Sequence, residues 1–196
     1  MPRAAITSQD DLTDALIHVV VEHGLDAVSI RAVARQAGVS IGTVQYHFAT
    51  KDDLLLAAYR RAIDRVTARA RSVAQRAPGP RAYIRSLLRE LLPLDDQREA
   101  ELRVAVAFTA RSVCSPQLTE LYTRGYGALV GAVADALRQA VERGEAAADV
   151  DPQRDATQAV ALADGLAWQL LCAPSVLSAD ATVGALDAHL DRLLPR

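Results

Sequence analysis

The sequence predicts an all-α fold, on three observations. Apolar residues recur at helical spacing along most of the chain and nowhere alternate as a half-buried strand would. Capping side chains stand ahead of these segments repeatedly: Ser8 with Asp11, Thr50 with Asp53, Asp96 before "QRE", and Ser115 and Asp151 each directly before a proline. A hydrophobic fraction of 51% with 23% charged residues belongs to a globular chain rather than a disordered one. No apolar run approaches the roughly 20 residues that span a bilayer. The opening "MPRAAITSQDD" has no signal-peptide core, so the expected location is cytoplasmic.

Taken in order, Leu12, Ala15, Leu16, Val19 and Val20 mark one face of a first helix, with Ser8 at its start and Gly24 as its stop. A second helix follows Ser29 and aligns Ile30, Val33, Ala34 and Ala37. A short one covers Ile41 to Phe48. A long one runs from Lys51 to about Ala74, with Leu54, Leu55, Ala58, Ala62 and Val66 on one side. "APGP" at 77–80 is the clearest break. Helices are then expected over about 81–92, 97–112, 116–142, 152–172 and 180–194, with no internal repeat and no low-complexity linker.

The stretch "AGVSIGTVQYHF", 37–48, departs from this helix-prone background. Ala37 is small enough for a close helix crossing, Gly38 can take the positive φ of a turn, Val39 is an apolar plug and Ser40 can cap the next helix. Two short helices joined by a glycine turn make a helix-turn-helix. On a helical wheel Val44 and Phe48 fall together, with Ile41 at their border, to pack on the first two helices. Gly42, Thr43, Gln45 and Tyr46 point away, and that face suits a hydrogen-bonding surface approached closely. A helical hairpin in an ordinary core, with Gly42 merely tolerated, fits the periodicity as well. The net charge of −2 gives no global sign of a polyanion partner. Locally, however, Arg31, Arg35 and Lys51 lie in a window without a single acid, whereas residues 1–30 hold five acids and one arginine.

The segment "SIRAVARQAGVSIGTVQYHFATKDDLLLAAY", 29–59, resembles the DNA-binding head of the TetR family of bacterial transcriptional regulators. The likeness rests on Ala34, "AGVS", Gly42-Thr43, Tyr46-His47-Phe48 and Lys51 followed by an acidic pair and leucines. It implies a helix-turn-helix DNA-binding domain over 1–50, its motif at about 29–48, and an effector-binding and dimerisation domain over 51–196. By position, it implies that Ile41, Gly42 and Gln45 face bases. Ser40, Thr43, Tyr46, His47 and Lys51 hold phosphates, and Arg31 reaches a base or a phosphate. Many members carry an aromatic where Gln45 stands, so a typical member's base preference does not transfer. Lys51, the only lysine of the chain, stands where the family has one.

Further along, "LLPLDDQREAELRVAVAFTARS" (91–112) and "DGLAWQLL" (164–171) resemble the branch containing BetI-like, choline-responsive regulators. The resemblance implies a homodimer that represses from a pseudo-palindromic duplex and is released by a small-molecule effector. Leu162, Gly165, Leu166, Leu170, Leu186, Leu190 and Leu193, on the last two helices, are the expected dimer seam, the monomer core being their other use. Phe108, Arg111, Cys114, Tyr122, Tyr126, Asp164 and Trp168 are the expected pocket. Arg111 there would favour an anionic or carbonyl ligand and Asp164 a cation.

Other classes fare worse. HExxH, P-loop, GxGxxG and Gly-x-Ser-x-Gly patterns are all missing from the sequence. "DVDPQRD" (149–155) lacks the glycine and the closing glutamate of a calcium loop, and capping by Asp151 explains it. No enzyme, cofactor or metal is expected; His47 has no ligating neighbour. Cys114 and Cys172, far apart and without metal-ligand spacing, read as buried thiols. An interaction protein that kept the helix-turn-helix shape without DNA affinity is the rival reading.

Overall fold

The computed structural model describes residues 8–24 and 27–195. Among them it holds nine α-helices: α1 (Gln9–His23), α2 (Ile30–Ala37), α3 (Ile41–His47), α4 (Lys51–Arg76), α5 (Pro80–Arg89), α6 (Asp96–Ser112), α7 (Pro116–Glu142), α8 (Pro152–Cys172) and α9 (Ala179–Leu193). No helix among the described residues is long and apolar enough to cross a membrane.

Most helix starts are made by the side chains the sequence points to. Ser8 and Thr50 each accept from the amide three residues on, while Asp11 and Asp53 accept from the cap amide in return. Asp151 caps α8 by accepting from the Arg154 amide at 2.8 Å, and Pro152 fills the first helical position. One cap is displaced. Asp95, not Asp96, accepts from the Arg98 amide at 2.8 Å, because the helix begins at Asp96 and the capping carboxylate must precede it.

The chain divides into two units. The first comprises residues through Asp64 together with Arg103–Thr119. The opening of α4 and the end of α6 fall in this unit together with the helix-turn-helix. Its core is Leu12, Leu16, Val33, Val44, Leu54 and Leu55, all at 1% exposure or less. Phe108 lies flat on Tyr59, ring centroids 3.8 Å apart. Arg61 forks onto Asp14 at 2.7 and 2.8 Å, tying α4 to α1.

The second unit, Arg65–Leu102 and Glu120–Arg196, has its own core. Ile84 and Leu88 of α5, Val133 and Leu137 of α7, Val160 of α8, and Leu186 and Leu190 of α9 meet there. Arg81, Arg85 and Arg89, one helical turn apart on α5, pair with Asp187 and Asp191 on α9. Arg69 of α4 holds Glu90 at 2.6 Å and the buried Glu101 at 2.6 and 3.0 Å, which keeps that interior carboxylate paired.

Candidate functional site

The helix-turn-helix is built by one left-handed glycine. Gly38 has φ 67° and ψ 28°, and its amide donates to the carbonyls of Ala34 and Arg35. The Val39 amide reaches back to Ala34 at 3.0 Å, closing the C-terminal turn of α2. The chain then restarts at once, since the Ser40 hydroxyl accepts from the Thr43 amide at 3.0 Å. Val44 and Phe48 turn inward, at 0% and 2% exposure.

What remains outward is the face expected to read DNA. Gly42, Gln45 and Tyr46 are exposed, Tyr46 at 86%, and Thr43 and His47 are half-buried. Ile41, expected at the border of the buried side, is 41% exposed. Arg31 on α2 and Lys51 at the first position of α4 are also exposed. The Ser40 and Thr43 hydroxyls share a hydrogen bond of 2.9 Å, which fixes both at the start of α3. Tyr46 stands edge-on to His47, with centroids 5.1 Å apart.

Gly42 is the informative residue. It has no positive φ, and a Cβ built there would meet only the Ser40 hydroxyl, at an ordinary 3.6 Å. A helix-interior glycine costs about 1 kcal/mol against alanine, and nothing in the fold requires it.

The residues expected to form a pocket fall into both units. Phe108, Arg111 and Cys114 belong to the first, whereas Tyr122, Tyr126, Asp164 and Trp168 belong to the second. Phe108 is fully buried against Tyr59 as core. Arg111 is exposed near the end of α6. It forks onto Asp52 through Nε at 2.9 Å and Nη2 at 3.0 Å, holding that carboxyl below its usual range. The acid next to Lys51 is thereby paired with a cation of its own unit. Cys114 and Cys172 are free and exposed rather than buried, because each lies at a helix end facing away from the cores.

The other four gather on α7 and α8. Tyr122 and Tyr126 are one turn apart with nearly parallel rings, 6.0 Å between centroids. Burial raises the pKa of both, and the charge of Asp164 raises them further. Asp164 keeps contact with water, yet the mass of protein around its carboxyl pushes it up to about 6. Trp168 stands one turn later on α8.

On α8 and α9 the leucines expected at a seam mostly face their own chain. Leu186 and Leu190 are sealed in the core, and Leu162, Leu166 and Leu193 pack against it; Leu170 is half-buried. Gly165 is exposed. It lies in a stripe of small exposed residues that aliphatic spacing passes over: Ala161 and Gly165 on α8, and Ala181, Gly184, Ala185 and Ala188 on α9. A Cβ at Gly165 or Gly184 would meet nothing within 4 Å.

Residues 12–58 match the family described as bacterial regulatory proteins, tetR family, and residues 80–195 match the BetI-type transcriptional repressor C-terminal domain. Among solved structures, a transcriptional regulator from Rhodococcus sp. RHA1 is 33% identical with a TM-score of 0.84, covering 95% of this chain and 96% of that one. A transcriptional regulator from Saccharomonospora viridis, in complex with choline, is 25% identical with a TM-score of 0.89, over 95% and 97%. The HTH-type transcriptional regulator BetI of Burkholderia thailandensis is 29% identical across 93% of this chain and 91% of its own length. With its helix-turn-helix, its all-helical second unit and both matched domains, the chain belongs to the TetR family of transcriptional regulators and carries that family's DNA-binding helix-turn-helix.

Proposed function

We propose that the chain acts as a homodimeric repressor that leaves its operator when a small molecule enters the second unit. The observation carrying the DNA half is the α3 face, where a glycine that the fold does not need stands beside exposed Gln45 and Tyr46. Gln45 hydrogen-bonds a base edge. Ser40, Thr43, Tyr46, His47 and Lys51 hold phosphates, and Arg31 extends the basic side.

The dimer forms through the small-residue stripe of α8 and α9, where glycines and alanines let helix backbones approach closely across a two-fold axis. Two-fold symmetry then requires recognition helices spaced for successive major grooves, about 34–36 Å apart, and an operator that is an inverted repeat. The repressor description of the matched C-terminal family and the choline complex of the Saccharomonospora viridis regulator support ligand-released repression. The residues that receive the ligand are Tyr122, Tyr126, Asp164 and Trp168. An effector moves the equilibrium only by its difference in affinity for the two states, typically about 1–3 kcal/mol.

Selection of bound duplexes from a random pool tests this reading, and an inverted repeat is the expected product. On the selected site, Lys51→Ala is expected to weaken binding to every sequence and to lower the salt slope by about one. Gln45→Ala is expected to lose about 1–3 kcal/mol on the preferred sequence and little on others. Recovery of no duplex above background would move the weight to an interaction protein without DNA affinity.

A further inference from the structure

Within the second unit, the start of α5, the turn after α7 and the segment after α9 enclose an open cleft of about 490 Å³. Arg81, Ala82, Arg85, Glu145 and Pro195 line it. Two of its walls are tied together: the Ala147 amide donates to the Leu193 carbonyl at 2.9 Å, and the fully buried Leu194 anchors the chain ahead of Pro195. None of Tyr122, Tyr126, Asp164 and Trp168 lines the cleft, so it is distinct from the place proposed above for the effector.

The charges on these walls do not balance. Arg81 and Arg85 both donate through Nη2 to the same oxygen of Asp191, at 2.6 and 2.5 Å. Arg85 also reaches Asp187 at 3.4 Å, and Arg89 pairs with that same Asp187 oxygen. Three arginines thus share two aspartates, which leaves one positive charge over. Arg81 has donors to spare, because its Nε and Nη1 find no partner among the described residues. Glu145, exposed in the cleft, makes no ion pair among them either. Its charge is offset by Arg143, whose Nη1 lies 3.9 Å from where a Cβ on Gly79 would stand, directly ahead of α5.

Half-buried guanidinium donors attract an oxyanion through charge-assisted hydrogen bonds, and they are screened less than charges on an open surface. The cleft has room for more than a bare ion, and Ala82 and Pro195 give it an apolar wall. We infer that it binds a small organic carboxylate. The carboxylate accepts from the spare donors of Arg81 and faces Arg85, while the apolar part of the ligand lies against Ala82 and Pro195.

Hexanoate and hexan-1-ol, which share one chain length, test this in the full-length, nitrogen-15-labelled protein at fixed ionic strength. The readout is the Nε–H resonance of each arginine. Hexanoate is expected to shift those of Arg81 and Arg85 saturably, and hexan-1-ol to leave them in place. Arg81→Gln, read at Arg85, is expected to weaken hexanoate about fivefold. Glu145→Gln is expected to act in the opposite direction, tightening hexanoate about twofold, since it removes a negative charge from the cleft. That second variant breaks no ion pair among the described residues and decides the matter by itself if Arg81→Gln does not fold. Shifts that do not saturate, shifts spread evenly over the arginines, or equal binding of the alcohol would each overturn the assignment. So would an affinity that Arg81→Gln leaves unchanged or that Glu145→Gln fails to raise.

Discussion

In the first unit the polar side chains proposed to meet DNA come from one short segment, Ser40 to Lys51, and the fold fixes them by contacts only a few residues long. In the second, Tyr122 and Asp164 stand some forty residues apart, on α7 and α8. The first surface is set by local rules of capping and turning. The second exists only once a core has formed. Local sites survive small changes in packing, whereas a site assembled across helices inherits every error of the core beneath it.

The comparison breaks first where the local unit depends on a distant residue. Phe108 comes from α6, fully buried and stacked on Tyr59 of α4. Phe108→Ala is expected to cost about 3–5 kcal/mol in urea denaturation and to reduce duplex binding with it. A loss below about 1 kcal/mol would mean the unit is sustained by its local contacts alone.

Two acids on α8 sharpen it next. Asp155 is buried and paired, and its pKa is lowered, chiefly by Arg154; Asp164 is exposed and makes no ion pair among the described residues, and the partial desolvation of its carboxyl raises it to about 6. A lowered acid stabilises the fold above its unfolded value of 3.8 and loses that contribution as pH falls through its native value. A raised acid does the opposite: its cost is nil below 3.8, grows between 3.8 and about 6, and is complete above 6. At pH 7.5, Asp155→Asn is therefore expected to destabilise by about 1–3 kcal/mol. Asp164→Asn is expected to stabilise by up to about 1 kcal/mol, discounted for the water the side chain still meets. Thermal melts at pH 7.5 and 3.5 check both signs, and both differences should shrink at the lower pH. A destabilised Asp164→Asn at pH 7.5 would show that the carboxylate has a partner.

The smallest effect expected is Ser40→Ala, about 1 kcal/mol from the lost cap of α3, read from the same melts. No measurable change would show that α3 is held by Val44 and Phe48 alone.

These contrasts also explain what the sequence reveals. Gly38, Ser40 and the inward pair Val44 and Phe48 are legible because each acts within one turn of chain. Helical spacing likewise finds the helices, and with them their outward faces. It does not say which neighbour a face meets. Phe108 and Arg111 share a helix that looks like a pocket wall, yet one fills a core and the other neutralises Asp52. Leucine spacing marks apolar faces but cannot separate a chain's own core from a seam between chains. Leu186 and Leu190 went inward, and the small residues beside them stayed out.

Lys51 has a practical consequence of another kind. As the only lysine of the sequence, exposed at the first position of α4, it is the sole side-chain amine the molecule offers to acylating reagents. A label carried by that chemistry lands on the DNA-facing unit and, besides it, on the amino terminus alone. If the duplex covers Lys51 as proposed, its occupancy can be followed in one peptide, by how far it shields that residue from modification.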